Sequence, residues 1–126
     1  MKSVIVAIFI AGVIVFSGIY STKKLEDVSV YLIDICEKTN EIIEKGNFSE
    51  AEKYIDDIEK CIEENYIMFA SSIDHNEIDK IDVNIDQMKI YIKEEQKADA
   101  LSYGSVLIGL FEHLPKDHRL KLENIL

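Results

Sequence analysis

The densest group of side chains that could bind an ion lies between residues 74 and 86. Four of them are spaced by four, three and four residues, so a helix would place them on one face: His75, Asp79, Asp82 and Asp86. Imidazole and carboxylate groups on one face could bind a divalent cation. An EF-hand is excluded, because Ile78 and Asp79 occupy positions that need an oxygen ligand and a glycine.

The same stretch has a simpler explanation as the beginning of a helix. Asp74 is a good N-cap residue, and Glu77 lies three residues later, where a capping box needs an acid. Ile73 and Ile78 have the spacing of a hydrophobic staple. We therefore interpret Asp74 and Glu77 as a helix-cap motif and the other acids as a solvated face, and we predict no metal site.

The two cysteines suggest a second kind of chemistry. Cys36 precedes Gly46 by ten residues and Cys61 follows Ser49 by twelve, so a hairpin turning at residues 46–49 would place them at similar heights. A disulfide between Cys36 and Cys61 is possible if this part of the chain is outside the cytoplasm. It would stabilise the fold by roughly 3 kcal/mol. Two partly buried free thiols are the alternative, which we slightly favour.

No catalytic apparatus is visible in the sequence. The three histidines are His75, His113 and His118, and none belongs to a Ser-His-Asp, Cys-His or HExxH pattern. There is no glycine-rich phosphate loop. The 126-residue chain carries 24 acids against 14 bases, a net charge of −10, which would repel the phosphates of nucleic acid. We predict a non-enzyme without a cofactor and without a nucleic-acid partner.

The first part of the chain is apolar. Val4 to Tyr20 is uncharged and would rise about 26 Å as a helix. A cleaved signal peptide is one interpretation, with a possible small-residue cleavage site at residues 15–17. The run is longer than a usual signal-peptide core and lacks Ala-x-Ala, so we favour an uncleaved transmembrane anchor over residues 1–24, with a short basic N-terminus in the cytoplasm.

The remainder, residues 25–126, is predicted to be an acidic helical domain at the extracytoplasmic face of the cell membrane. All 24 acids follow Lys24, so anionic lipid surfaces should repel this domain. No helix breaker separates the apolar run from Leu25, so the anchor can continue into the first helix of the domain.

Apolar residues at spacings of three and four predict four helices in this domain. The first ends at Gly46, the second begins at Ser49 with Glu52 as a capping-box partner, and the last ends at Pro115. A turn is expected within 93–99. The predicted core positions follow: Leu25, Val28, Leu32, Ile35, Thr39 and Ile42; Ala51, Ile55, Ile58, Ile62, Asn65 and Phe69; Ile78, Ile81, Ile85, Met88 and Ile92; Leu101, Leu107, Ile108, Phe111 and Leu114.

Short connections between consecutive helices favour antiparallel neighbours. The fold class is therefore all-α, with an N-terminal transmembrane helix followed by an antiparallel up-and-down four-helix bundle. Two stacked helical hairpins are the alternative.

The chain resembles a family of small uncharacterised membrane-anchored helical proteins of spore-forming Gram-positive bacteria. The matching features are the N-terminal apolar segment, the stretch from Ile73 to Ile81, Phe111-Glu112-His113-Leu114 and the closing Asn124-Ile125-Leu126. The family has no assigned activity or cofactor, so the resemblance implies architecture and membrane association but no catalytic residue. Members often have tryptophan in the second helix; here Tyr66 and Phe69 are the candidates for that core position.

These observations predict a non-catalytic, membrane-anchored helical module that acts by protein–protein contact, as an accessory subunit of another membrane protein. The alternative is an extracytoplasmic sensor bundle that binds a small ligand or a divalent cation.

Overall fold

The computed structural model describes residues 1–125, with the exception of the side chains of residues 21, 117, 120–122, 124 and 125. This part of the chain contains five helices and no strand. The helices are α1 (Lys2–Glu44), α2 (Phe48–Glu64), α3 (Tyr66–Ser72), α4 (His75–Lys93) and α5 (Lys97–Ile125). The all-helical prediction is confirmed.

Helix α1 joins the apolar run to the folded domain without a break. Its 43 residues span about 65 Å. Side chains in the first half are exposed, as Phe9 and Phe16 illustrate at 71% each, and Leu25 is the first fully buried residue. The two halves therefore have different environments although they form one helix.

Helix α5 packs antiparallel along the second half of α1. At one end, Lys97 Nζ donates to the carbonyl oxygen of Glu44 at 2.6 Å. At the other end, Arg119, the single arginine of the chain, forms an ion pair with Glu26. Between them, Gly104 faces Asn40 so closely that a β-carbon at position 104 would overlap the Asn40 side chain.

The other helices complete one hydrophobic core. Helix α2 packs on α1 and α4, and α4 also packs on α5. All predicted core positions of α4 are buried, as are those of α2 and α3 apart from the half-buried Asn65. On α1 the prediction is less accurate, because Ser29, Cys36 and Ile43 are also buried whereas Val28 and Ile42 are only partly so. Contact with helices on two sides widens the buried face of α1 beyond one line of residues.

The predicted second helix is interrupted at Asn65, which was wrongly placed inside it. The Asn65 side chain donates from Nδ2 to the carbonyl oxygen of Cys61 at 2.8 Å, and its backbone leaves the helical region at φ −110° and ψ 18°. An asparagine side chain that bonds to nearby backbone groups competes with the helix. The result is a separate short helix, α3.

The N-cap of α2 is Asn47, not Ser49 as predicted. Asn47 Oδ1 accepts a hydrogen bond from the Glu50 backbone amide at 3.1 Å, and Asn47 Nδ2 donates to Glu50 Oε2 at 2.9 Å. The capping box therefore begins two residues earlier than predicted, since Gly46 ends α1 just before Asn47.

The prediction that the last helix ends at Pro115 is also wrong. Helix α5 continues through this proline to Ile125. Proline cannot donate to the carbonyl of Phe111, and such a loss usually ends a helix. Here the following turn is held by tertiary contacts: Arg119 pairs with Glu26, and His118 Nδ1 lies 3.1 Å from the carbonyl oxygen of Ser72.

The turn expected within 93–99 is confirmed, and it repeats the geometry of the turn after α1. Gly46 adopts φ 80°, and its amide and that of Asn47 bond back to Ile43 and Ile42. Glu95 adopts φ 57°, and its amide and that of Gln96 bond back to Ile92 and Tyr91. Both turns have the Schellman pattern, in which the left-handed residue is usually glycine.

Replacing Glu95 by glycine should therefore stabilise the protein. A non-glycine residue in the left-handed region costs about 1 kcal/mol, and Glu95→Gly removes this cost. We expect a higher midpoint in the thermal unfolding of the full chain in detergent, followed by circular dichroism. Gly46→Ala is the matched control and should lower the midpoint. A lower midpoint for Glu95→Gly would contradict the assigned geometry.

A second pair of variants tests the packing of α5 on α1. Gly104→Ala should destabilise the protein by about 1 kcal/mol or more, because Asn40 must move to admit the methyl group. Gly109→Ala lies in the same helix with nothing within 4 Å of the added carbon, so it should stabilise by roughly 0.5–1 kcal/mol. Equal shifts in the unfolding midpoint for the two variants would contradict the close approach.

Candidate functional site

The acidic face of α4 lies beside α2. His75 Nε2 is 3.8 Å from Asp79 Oδ1, one turn further along the helix. The pKa of the Asp82 carboxyl is raised, first by partial desolvation and then by the charges of neighbouring acids, of which Asp86 and Asp79 contribute most. Crowding of like charges is therefore a measurable property of this face.

A lysine from α4 offsets part of this negative charge. Lys89 Nζ lies 2.5 Å from Glu59 Oε1 and 4.0 Å from Asp56 Oδ1, both on α2. The hydrogen bond with Glu59 is the main reason why the pKa of Lys89 is raised. Among the side chains that the structure describes, no three His, Cys, Asp or Glu residues converge in a way that could hold a metal ion.

Asp74 occupies the N-cap of α4, the position expected from the sequence. Its backbone is extended, and its carbonyl oxygen accepts hydrogen bonds from the amides of Glu77 and Ile78 at 3.0 and 3.3 Å. The Glu77 carboxylate pairs with Lys80 Nζ at 3.1 Å. Ile73 and Ile78 are both buried. This end of α4 is thus organised as a helix start.

Both cysteines are buried free thiols in the structure, with exposures of 0% for Cys36 and 9% for Cys61. Burial raises the pKa of the Cys36 thiol to about 12, with a smaller contribution from the charge of Glu37. Burial also raises the pKa of Cys61, while its contact with Asn65 Nδ2 at 3.8 Å acts in the opposite direction. The disulfide stays a prediction, and a gain of two hydrogen masses on reduction of the native protein is its test.

The break at Asn65 exposes apolar side chains. Ile67 is 84% exposed, more than any other large apolar side chain described beyond residue 20, and Tyr66 is 51% exposed. Phe69 and Ser72 of the same short helix are buried. Phe69 therefore takes the core position expected from the resemblance, whereas Tyr66 does not. Ile67 lies off the apolar spacing of its neighbours, which is the sequence signal that could have identified it.

The apolar run has no protein contact to cover it. An 18-residue window of α1 has a mean hydropathy of 2.5, and none of it is buried. By length and composition, α1 is the one helix among the described residues that could cross a membrane.

The environments of the two thiols predict different alkylation rates. Only the thiolate reacts, so Cys36 should be modified by iodoacetamide far more slowly than Cys61 in the reduced, folded protein at pH 8. Both rates should rise with pH, since the pH lies below the pKa of each thiol. The single-cysteine variants Cys61→Ala and Cys36→Ala allow mass spectrometry to follow each thiol separately. Equal rates, both close to those of the unfolded chain, would contradict the burial.

Comparison with known proteins identifies a family but no characterised relative. No curated protein matches the chain, and no solved structure does. One family model matches residues 19–125, which begins at the end of the apolar run and includes all the helices that pack together. The chain therefore belongs to the family described as a domain of unknown function, DUF4363.

Proposed function

We propose that this protein is a non-catalytic, membrane-anchored helical module that binds another membrane protein at the extracytoplasmic surface. In this proposal residues 1–24 form a single transmembrane anchor. Residues 25–126 form an antiparallel up-and-down four-helix bundle, in which α3 is a short connector between α2 and α4. The observation that carries the proposal is the fully exposed apolar half of a helix whose other half belongs to the folded core.

The exposure of Val4 to Tyr20 favours a lipid environment. A soluble protein rarely exposes apolar patches larger than a few hundred Å², and this helix is apolar on every side. Tyr20 ends the run, and Lys23 and Lys24 follow it. Tyrosine and lysine at that position are typical of the boundary between hydrocarbon and headgroups.

The bundle arrangement is supported by the order in which the helices pack. The second half of α1 contacts α2, α2 contacts α4, α4 contacts α5, and α5 returns to α1. Each helix of this ring has two neighbours and buries one apolar face, as expected of a four-helix bundle.

Contact with a partner is supported by the exposed pair Tyr66 and Ile67. Large apolar and aromatic side chains that project from a surface are typical anchors at protein interfaces. Glu63 and Glu64 precede them and are exposed. An apolar pocket bordered by lysine or arginine would complement this surface, and complementary charge speeds association.

Crosslinking in intact cells tests the partner and the orientation together. A membrane-impermeant lysine crosslinker should join the full-length protein to another membrane protein. Ile67→Ser should reduce this product at least fivefold, because it removes the anchor side chain without opening the core. Val83→Ser is the control, since Val83 is also exposed, at 58%, but lies on α4.

The other outcomes contradict separate parts of the proposal. A product that forms only after lysis would place the domain on the cytoplasmic side. Absence of any product, before and after lysis, would contradict the role in protein contact. An equal yield for Ile67→Ser and the parent would exclude this surface.

A further inference from the structure

The register between α1 and α5 determines how far α5 extends toward the apolar run. Three points define it: Lys97 with Glu44, Gly104 with Asn40, and Arg119 with Glu26. The helices run in opposite directions through all three. The distal end of α5 is therefore its beginning, and its last turns lie beside the part of α1 nearest the apolar run.

Beyond Arg119, α5 continues for six residues to Ile125. Six residues of helix rise about 9 Å. The same distance along α1 from Glu26 reaches Tyr20, the last residue of the apolar run. Residues 120–125 thus lie at the level of residues 20–25 of α1, beside the end of the apolar run.

This level corresponds to the lipid headgroups if the apolar run spans the hydrocarbon. The headgroup layer is roughly 5–7 Å thick on each side of a bilayer. The four residues from Tyr20 to Lys24 rise about 6 Å and so cross that layer. The junction between α3 and α4 lies higher, because the Ser72 carbonyl is bonded to His118, seven residues before Ile125.

The sequence of this end differs from the rest of the domain. The buried positions Leu107, Phe111, Leu114 and His118 are followed at the same spacing by Leu122 and Ile125. Only Asp117 and Glu123 among the 24 acids follow Glu112, whereas three bases do: Lys116, Arg119 and Lys121. The rest of the domain would be repelled by anionic lipid, but this end combines apolar and basic residues as interfacial segments do.

We propose that residues 120–125 of α5 lie in the phospholipid headgroup layer beside the anchor, with their bases near lipid phosphates. This contact would give the domain a second attachment to the same bilayer and keep it upright on α1. The inference rests on the proposed membrane anchor, which supplies the reference level.

The absence of tryptophan from the chain allows a direct measurement of depth. Three single-tryptophan variants of the full-length protein are placed in phosphatidylcholine–phosphatidylglycerol vesicles that contain lipid with a nitroxide on its headgroup: Tyr20→Trp, Leu122→Trp and Tyr103→Trp. Position 103 lies on the same helix as 122 but about 28 Å away along its axis, outside the range of the quencher. Leu120→Trp is a second probe if Leu122→Trp lowers the helix content.

The expected result is quenching at position 122 comparable with that at position 20, and at least threefold stronger than at position 103. Quenching at position 20 with none at 122 or 120 would overturn the inference and leave the anchor intact. No quenching at position 20 would instead contradict the anchor itself, and the inference would fail with it. The quenching pattern therefore distinguishes the two failures.

Discussion

Antiparallel packing of α5 along the second half of α1 is the interaction on which the rest of the structure depends. It requires a residue without a side chain at Gly104, because the Asn40 side chain occupies the space where a β-carbon would lie. Polar contacts at both ends set the register, through Lys97 and Arg119. Helices α2 and α4 then cover the apolar faces that this pair leaves open.

The pairing also explains how a proline is accommodated within α5. A proline usually ends a helix, since its ring removes one hydrogen bond and obstructs another. Beyond Pro115, however, Arg119 pairs with Glu26 of α1, and His118 lies against the carbonyl of Ser72. These contacts connect α5 to two other parts of the fold within one turn. Tertiary interactions worth a few kcal/mol can outweigh the local cost of one missing bond.

Much of the core was predictable because apolar residues recur at helical spacing. All five predicted positions of α4, from Ile78 to Ile92, are buried. The same reasoning placed Asp74 at the start of that helix and a turn within 93–99. It failed at Asn47 and Asn65, since either asparagine could lie within a helix or end one. The exposed pair Tyr66 and Ile67 was missed as a consequence of the break at Asn65.

The sequence by itself determined the helical class, the long apolar beginning of α1 and the acidic surface, because spacing and composition are properties of the chain alone. Tertiary structure decided where helices end and which side chains are exposed. Local preference at Asn65 or Pro115 amounts to a few kcal/mol at most, and contacts between distant segments can reverse it. The depth of Cys36 and the exposure of Ile67 likewise depend on which helices pack together, and no single segment specifies that.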